Sequence, residues 1–166
     1  MQVFLIEDKK KFMTELLTGG AFDKFLLSEG RVEAKGHLSV TGRPAGGFYD
    51  AADGSGFDVS GYLPYRIYRD TFFSFIKGER TPVGMMIQLL LPRDMVERLI
   101  ATSGCTIPSL DVESLSVLIR FKEGSLTVTT GTSISGFYPD RSLEKALDGF
   151  VREALDDLKI KYTEQL

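Results

Sequence analysis

The hydrophobic pattern opens on Val3 to Ile6, a short apolar run that reads as a strand, and Asp8 then reads as the N-cap of a helix through Leu17 that ends on Gly19-Gly20. Phe12, Met13, Leu16 and Leu17 supply its buried face. From Phe25 to Arg43 the alternation becomes strand-like on both sides of Lys35-Gly36, with Leu27, Val32, Leu38 and Val40 inward, which predicts a hairpin. Between Arg43 and Gly61 periodicity vanishes among glycines and Asp50, Asp53 and Asp58, which predicts a mobile Gly/Asp-rich loop over 43–61.

After Pro64, the residues Tyr68, Phe72, Phe75 and Ile76 recur at helical spacing up to Gly78. Met85 to Leu91 is apolar on both faces, the pattern of a central strand covered by helices. Pro92 opens the next helix, with Met95, Val96, Leu99 and Ile100 inward and Gly104 as its stop. Leu115, Val117, Ile119 and Phe121 alternate with Ser116, Leu118, Arg120 and Lys122, and Glu123-Gly124 turns the chain into Leu126, Val128 and Thr130. A short strand is predicted around Ile134 to Tyr138. Asp140 or Ser142 then caps a long helix ending near Lys159, with Leu143, Leu147, Phe150, Val151, Leu155 and Leu158 on one stripe.

Hairpins outnumber regular βαβ alternation in this order of elements. The prediction is therefore an α+β fold in one domain over residues 1–166, a mostly antiparallel sheet flanked by about four helices. The last helix packs across the sheet and buries Leu147, Phe150 and Leu155.

Composition adds limits rather than a function. The hydrophobic fraction of 43% supports a core, and the net charge of -3 gives no global attraction to nucleic acid or an anionic membrane. Anion binding must then come from a local patch. Cys105 is the single cysteine, which leaves no internal disulfide, cysteine cluster or paired-thiol motif. The start of the chain lacks signal-peptide character, and the longest apolar run, broken by Gln88, falls well short of the ~20 residues that span a bilayer. Together these predict a cytoplasmic protein with no membrane partner.

His37 is the sole histidine and sits near a hairpin turn, so no histidine-rich metal site or histidine-based triad is expected. Phosphate-loop and dinucleotide fingerprints are absent, and Asp50, Asp53 and Asp58 are misspaced for a calcium loop. No metal, cofactor or catalytic residue is assigned. Two segments remain. Ile76 to Pro82 ends the aromatic helix with Lys77 and Arg80, and Arg66 and Arg69 lie near that helix's start; the segment is either a charged helix end or a basic patch that holds an anion. Thr127 to Ser133 lines a strand end with hydroxyls, and Gly131 permits close backbone approach, although threonine-rich strands are also simply strands. The candidate anion-binding set is Arg66, Arg69, Lys77, Arg80, Thr130 and Thr132.

Through Phe25-Leu26-Leu27, Ile76 to Pro82 and Thr129 to Ser133, the sequence resembles a family of bacterial proteins described only as a domain of unknown function, over nearly the whole chain. The resemblance implies no activity. In element order alone, the chain is also similar to one domain of the bacterial DNA sliding clamp, from which it departs by its helices at 92–103 and 142–159. That likeness implies a cationic stripe of Lys9, Lys10 and Lys11 with Arg66, Arg69, Lys77 and Arg80. The function expected is a non-enzymatic cytosolic binding or interaction module for a protein or an anionic ligand. Two alternatives stay open: an enzyme built from carboxylates and lysine acting on a small anionic substrate beside Arg80 and Thr132, and a clamp-like nucleic-acid-binding protein.

Overall fold

A computed structural model describes residues 1–49 and 61–165. Seven strands form one sheet: β1 (Val3–Ile6), β2 (Leu26–Glu33), β3 (His37–Thr41), β4 (Gly84–Leu90), β5 (Val112–Lys122), β6 (Ser125–Ile134) and β7 (Tyr162–Gln165). Their spatial order is β3-β2-β4-β5-β6-β1-β7, and every neighbouring pair is antiparallel. Helices α1 (Lys9–Thr14), α2 (Arg69–Ile76), α3 (Arg93–Ser103) and α4 (Ser142–Asp157) complete the α+β fold. Among the described residues, no helix is long and apolar enough to cross a membrane. The loop expected over 43–61 falls largely on residues 50–60, with Asp50, Asp53 and Asp58, and these lie outside the described residues.

Side chains alternate across a strand, so the register decides which residues meet the helices. Phe4, Leu27, Ile87, Leu89, Leu115, Ile119 and Leu126 are fully buried on one face. Burying each such side chain stabilises the fold by about 1.5–3 kcal/mol. Helix α2 reaches this face through Phe72, whose ring lies where a Cβ on Gly30 would stand, 2.4 Å from its Cζ atom. Helix α4 turns Leu143, Leu147, Val151 and Leu155 toward the same face at four-residue spacing, and all four are buried. Phe150 sits on the flank of that stripe, half-buried, with its ring edge-on to Phe25 at 6.3 Å.

Several local details differ from the sequence pattern. The expected strand at 134–138 is instead the end of β6, which runs unbroken to Ile134; Gly136 then takes a left-handed conformation (φ 97) and Phe137 projects into solvent. Asp8 caps no helix amide; its carboxylate accepts the Lys161 amide at 2.9 Å and so joins α1 to the start of β7. The first helix widens into a π-helical turn over Glu15–Gly19, which directs the adjacent Leu16 and Leu17 into the core. Asp140 does organise the start of α4, accepting the Ser142 amide at 2.9 Å and the Thr106 amide at 2.7 Å; these bonds, the Ser142 hydroxyl foremost, hold its carboxyl well below the usual range.

The central strand β4 is covered by helices on one side only. Met86, Gln88 and Leu90 point to the other face, where no described helix packs, and are half-buried because strands flank β4 on both sides. That open face and the strand ends beside it shape the candidate site.

Candidate functional site

Gly84 starts β4 at one end of the sheet, and the chain reaches it through 77–83, the connection that holds most of the basic motif. Two clefts flank this end, one on each face of the sheet, and Met85 and Phe121 border both.

The cleft on the open face measures about 470 Å³. The register places Arg31, Met86 and Arg120 side by side on β2, β4 and β5, and the next row holds Glu33, Gly84 and Lys122. Adjacent strands lie about 4.8 Å apart, so Arg31 and Arg120 straddle Met86 at roughly 10 Å. In the next row Gly84 brings no side chain, and a Glu33 carboxylate oxygen lies 3.9 Å from where its Cβ would stand. Arg31 has only a loose contact with Glu29, at 3.5 Å. Arg120 and Lys122 are exposed and form no ion pair among the described residues. The acids that line the cleft are Glu33, 4.0 Å from His37, and Glu123.

On the helical face the second cleft measures about 420 Å³. Met13, Pro82, Met85, Phe121 and Leu126 line it, with Lys9, Lys10, Thr81 and Gly124 at its edge. Gly124 belongs to a two-residue hairpin turn in which both Glu123 (φ 51) and Gly124 (φ 79) are left-handed, the geometry that tight antiparallel hairpins need. Among the described residues, the Lys9 and Lys10 ammonium groups have neither an ion pair nor a hydrogen bond; Lys11 differs, donating to the Lys159 carbonyl at 2.9 Å.

A larger cleft, about 760 Å³, opens at the other end of the sheet and contains Arg66. Its charges are mostly engaged within the chain. Arg93 donates to the Val112 and Ser109 carbonyls, each at 2.7 Å, and Arg98 donates to Asp94 at 3.1 Å. Asp23 accepts from Arg69 at 2.5 Å, and beside that pair the Tyr65 hydroxyl donates to the Leu16 carbonyl at 3.0 Å. Burial first, and the Asp23 charge second, push the Tyr65 phenol above the usual tyrosine range.

These positions divide the set expected from sequence. Arg66 and Arg69 belong to the far end, with Arg69 locked to Asp23. Lys77 and Arg80 lead into β4 at the Gly84 end, exposed, with the Lys77 ammonium 6.0 Å from the Phe73 ring centre. Thr130 is buried; it accepts the Gln2 amide at 2.9 Å and donates to Asp148 at 2.6 Å, tying β6 to β1 and α4. Thr132 is half-buried, seven residues along β6 from Ser125 and thus about 23 Å from the Gly84 end. Lys9 and Lys10 border the same cleft as Thr81 and Pro82 of the 76–82 motif.

Arg120 and Lys122 were not selected from sequence, where strict alternation on a hairpin makes outward cations look like ordinary solvated positions. Their signal lies in the pairing of Lys122 with a glycine on the neighbouring strand, and pairing is a tertiary fact. Among the described residues, no group of three or more His, Cys, Asp or Glu side chains is placed to hold a metal ion.

No curated protein and no solved structure matches the chain. A family model does match, over residues 15–163, which takes in the 77–83 connection, both rows of the open-face cleft and α4, and leaves out Lys9 and Lys10. The chain belongs to a family of unknown function (DUF5721).

Proposed function

We propose that the protein is a non-enzymatic binding module, acting as one domain, that holds an anionic partner at the Gly84 end of its sheet. One observation carries this reading. On a chain with net charge -3, the two clefts that share Met85 and Phe121 are rimmed by Lys9, Lys10, Arg120 and Lys122, none of which has an in-chain ion pair among the described residues. Cations on a folded surface are commonly neutralised by neighbours; a group left unneutralised attracts anions at a rate and affinity that fall with ionic strength. Lys77 and Arg80 of the expected anion-binding set extend the patch along 77–83. Arg66 and Thr132 stand apart from it, and Arg69 and Thr130 serve the frame through Asp23 and Asp148.

The test is fluorescence anisotropy of labelled hexaglutamate and of a labelled single-stranded DNA at low salt. Binding of hexaglutamate is expected, weakening as salt rises and falling at least tenfold in the Arg120→Glu/Lys122→Glu protein. Preference for the DNA would favour the clamp-like alternative, with a salt slope that drops by about one for each phosphate contact removed. The enzymatic alternative has its own test. Turnover of phosphatase, hydrolase or transferase substrates, lost on Lys77→Ala or Arg80→Ala, would replace the binding reading with catalysis.

A further inference from the structure

We infer that the cleft on the helical face is a docking site for a peptide segment of a partner protein, one that presents a bulky apolar side chain directly beside carboxylates. This rests on the binding role proposed above and assigns a ligand to one of its two clefts.

The two halves of that ligand follow from the two halves of the cleft. Met13, Pro82 and Phe121 are half-exposed and form the apolar floor of the cleft, and Met85 and Leu126, almost wholly shielded, back it from the core. Thioethers and an aromatic ring make an adaptable apolar surface that accepts leucine, methionine or phenylalanine without demanding one shape. A volume of about 420 Å³ accommodates one or two such side chains. Lys9 and Lys10 stand at the edge of this floor, without an ion pair among the described residues, each on a flexible stem that brings an ammonium group to a carboxylate on a residue next to the anchored one.

The acids nearest in sequence do not cancel them. Asp8 accepts the Lys161 amide and Glu7 accepts the Thr163 hydroxyl at 2.6 Å, so both carboxylates turn toward β7, and neither comes within ion-pair distance of Lys9 or Lys10 among the described residues. Across the cleft, Thr81 and Gly124 bring no charge, and a Cβ on Gly124 would meet nothing within 4 Å, so that rim is open to an approaching chain. Glu123 in the turn and Glu79 in the 77–83 connection select against a peptide with acids on that side. A nucleic acid would use the lysines, but Met13, Pro82 and Phe121 offer its base edges no hydrogen-bond partners.

The experiment is fluorescence anisotropy of a fluorescein-labelled peptide containing Asp-Glu-Leu-Phe, titrated with the full chain, beside the same peptide with Leu-Phe replaced by Ser-Ser. Saturable binding is expected for the first, at least tenfold weaker for the second, and at least tenfold weaker again when the protein carries Lys9→Glu and Lys10→Glu. Both lysines are exposed, so the variant is expected to fold, and an unchanged circular dichroism spectrum and thermal midpoint serve as the check. Equal binding of the two peptides would overturn the apolar anchor while leaving an anion-binding protein. Binding unchanged by the lysine reversals would overturn the site. Failure of the Leu-Phe peptide to bind where hexaglutamate binds would overturn this inference alone, and failure of both would overturn the binding role with it.

Discussion

Replacing Gly30 with alanine is expected to destabilise the protein by about 1–3 kcal/mol, an overpacking cost, even though alanine is the better strand former. The cause is Phe72, whose Cζ would lie 2.4 Å from the new methyl group, inside any real carbon–carbon contact. Phe72 is fully buried and stacked near Tyr65, with ring centres 6.1 Å apart, so it has little room to retreat. Phe72→Ala alone is expected to cost about 3–5 kcal/mol through lost burial and a residual cavity. In the double variant the methyl group enters space the ring has left, so the two losses should combine to less than their sum. A urea-denaturation cycle measures this coupling. Additive losses would mean that α2 does not rest on β2 at Gly30.

Leu147→Asp is expected to have an effect as large, more than about 4 kcal/mol, because it puts an unpaired carboxylate at the centre of the α4 stripe where no solvent reaches. Phe150→Asp should cost clearly less. That ring is half-buried on the flank of the helix, and a carboxylate there turns into water more easily. Thermal midpoints of the two variants give the comparison. A milder Leu147 variant would place α4 with another face against the sheet.

The α4 stripe, the β5–β6 hairpin and the Glu123-Gly124 turn were legible in the sequence because each is a local pattern: a four-residue repeat, a two-residue alternation, and a dipeptide suited to left-handed backbone. β7 was not. Tyr162 to Gln165 carries three polar residues in four and is a strand because β1 offers it an edge, with Ile6 opposite Tyr162 and Val3 opposite Gln165. The extent of helical cover over β4 was misread for a related reason. Half-burial by flanking strands and full burial by helices both favour residues such as Met86 and Leu90, so composition alone does not separate them. The candidate site was legible only in pieces. The Lys9 to Lys11 run and the 76–82 motif stand out individually, but the cleft that Lys9, Lys10 and Thr81 border together is assembled from residues about seventy positions apart, through α1 and the start of β4. Arg69 and Thr130 show the converse. Their residue types suited an anion site, and their neighbours, Asp23 and Asp148, use that chemistry inside the fold.

The central claim is that anions bind at the Gly84 end of the sheet. It is tested most directly by following backbone amide resonances of the ¹⁵N-labelled protein as hexaglutamate is added at low salt. The expected result is a contiguous set of shifting amides at Lys9, Lys10, Thr81, Gly84, Lys122 and Gly124, which returns to its starting positions when salt is raised, with the amides around Arg66 and Arg98 unmoved. Shifts centred on the Arg66 cleft, or spectra unchanged at millimolar hexaglutamate, would contradict it.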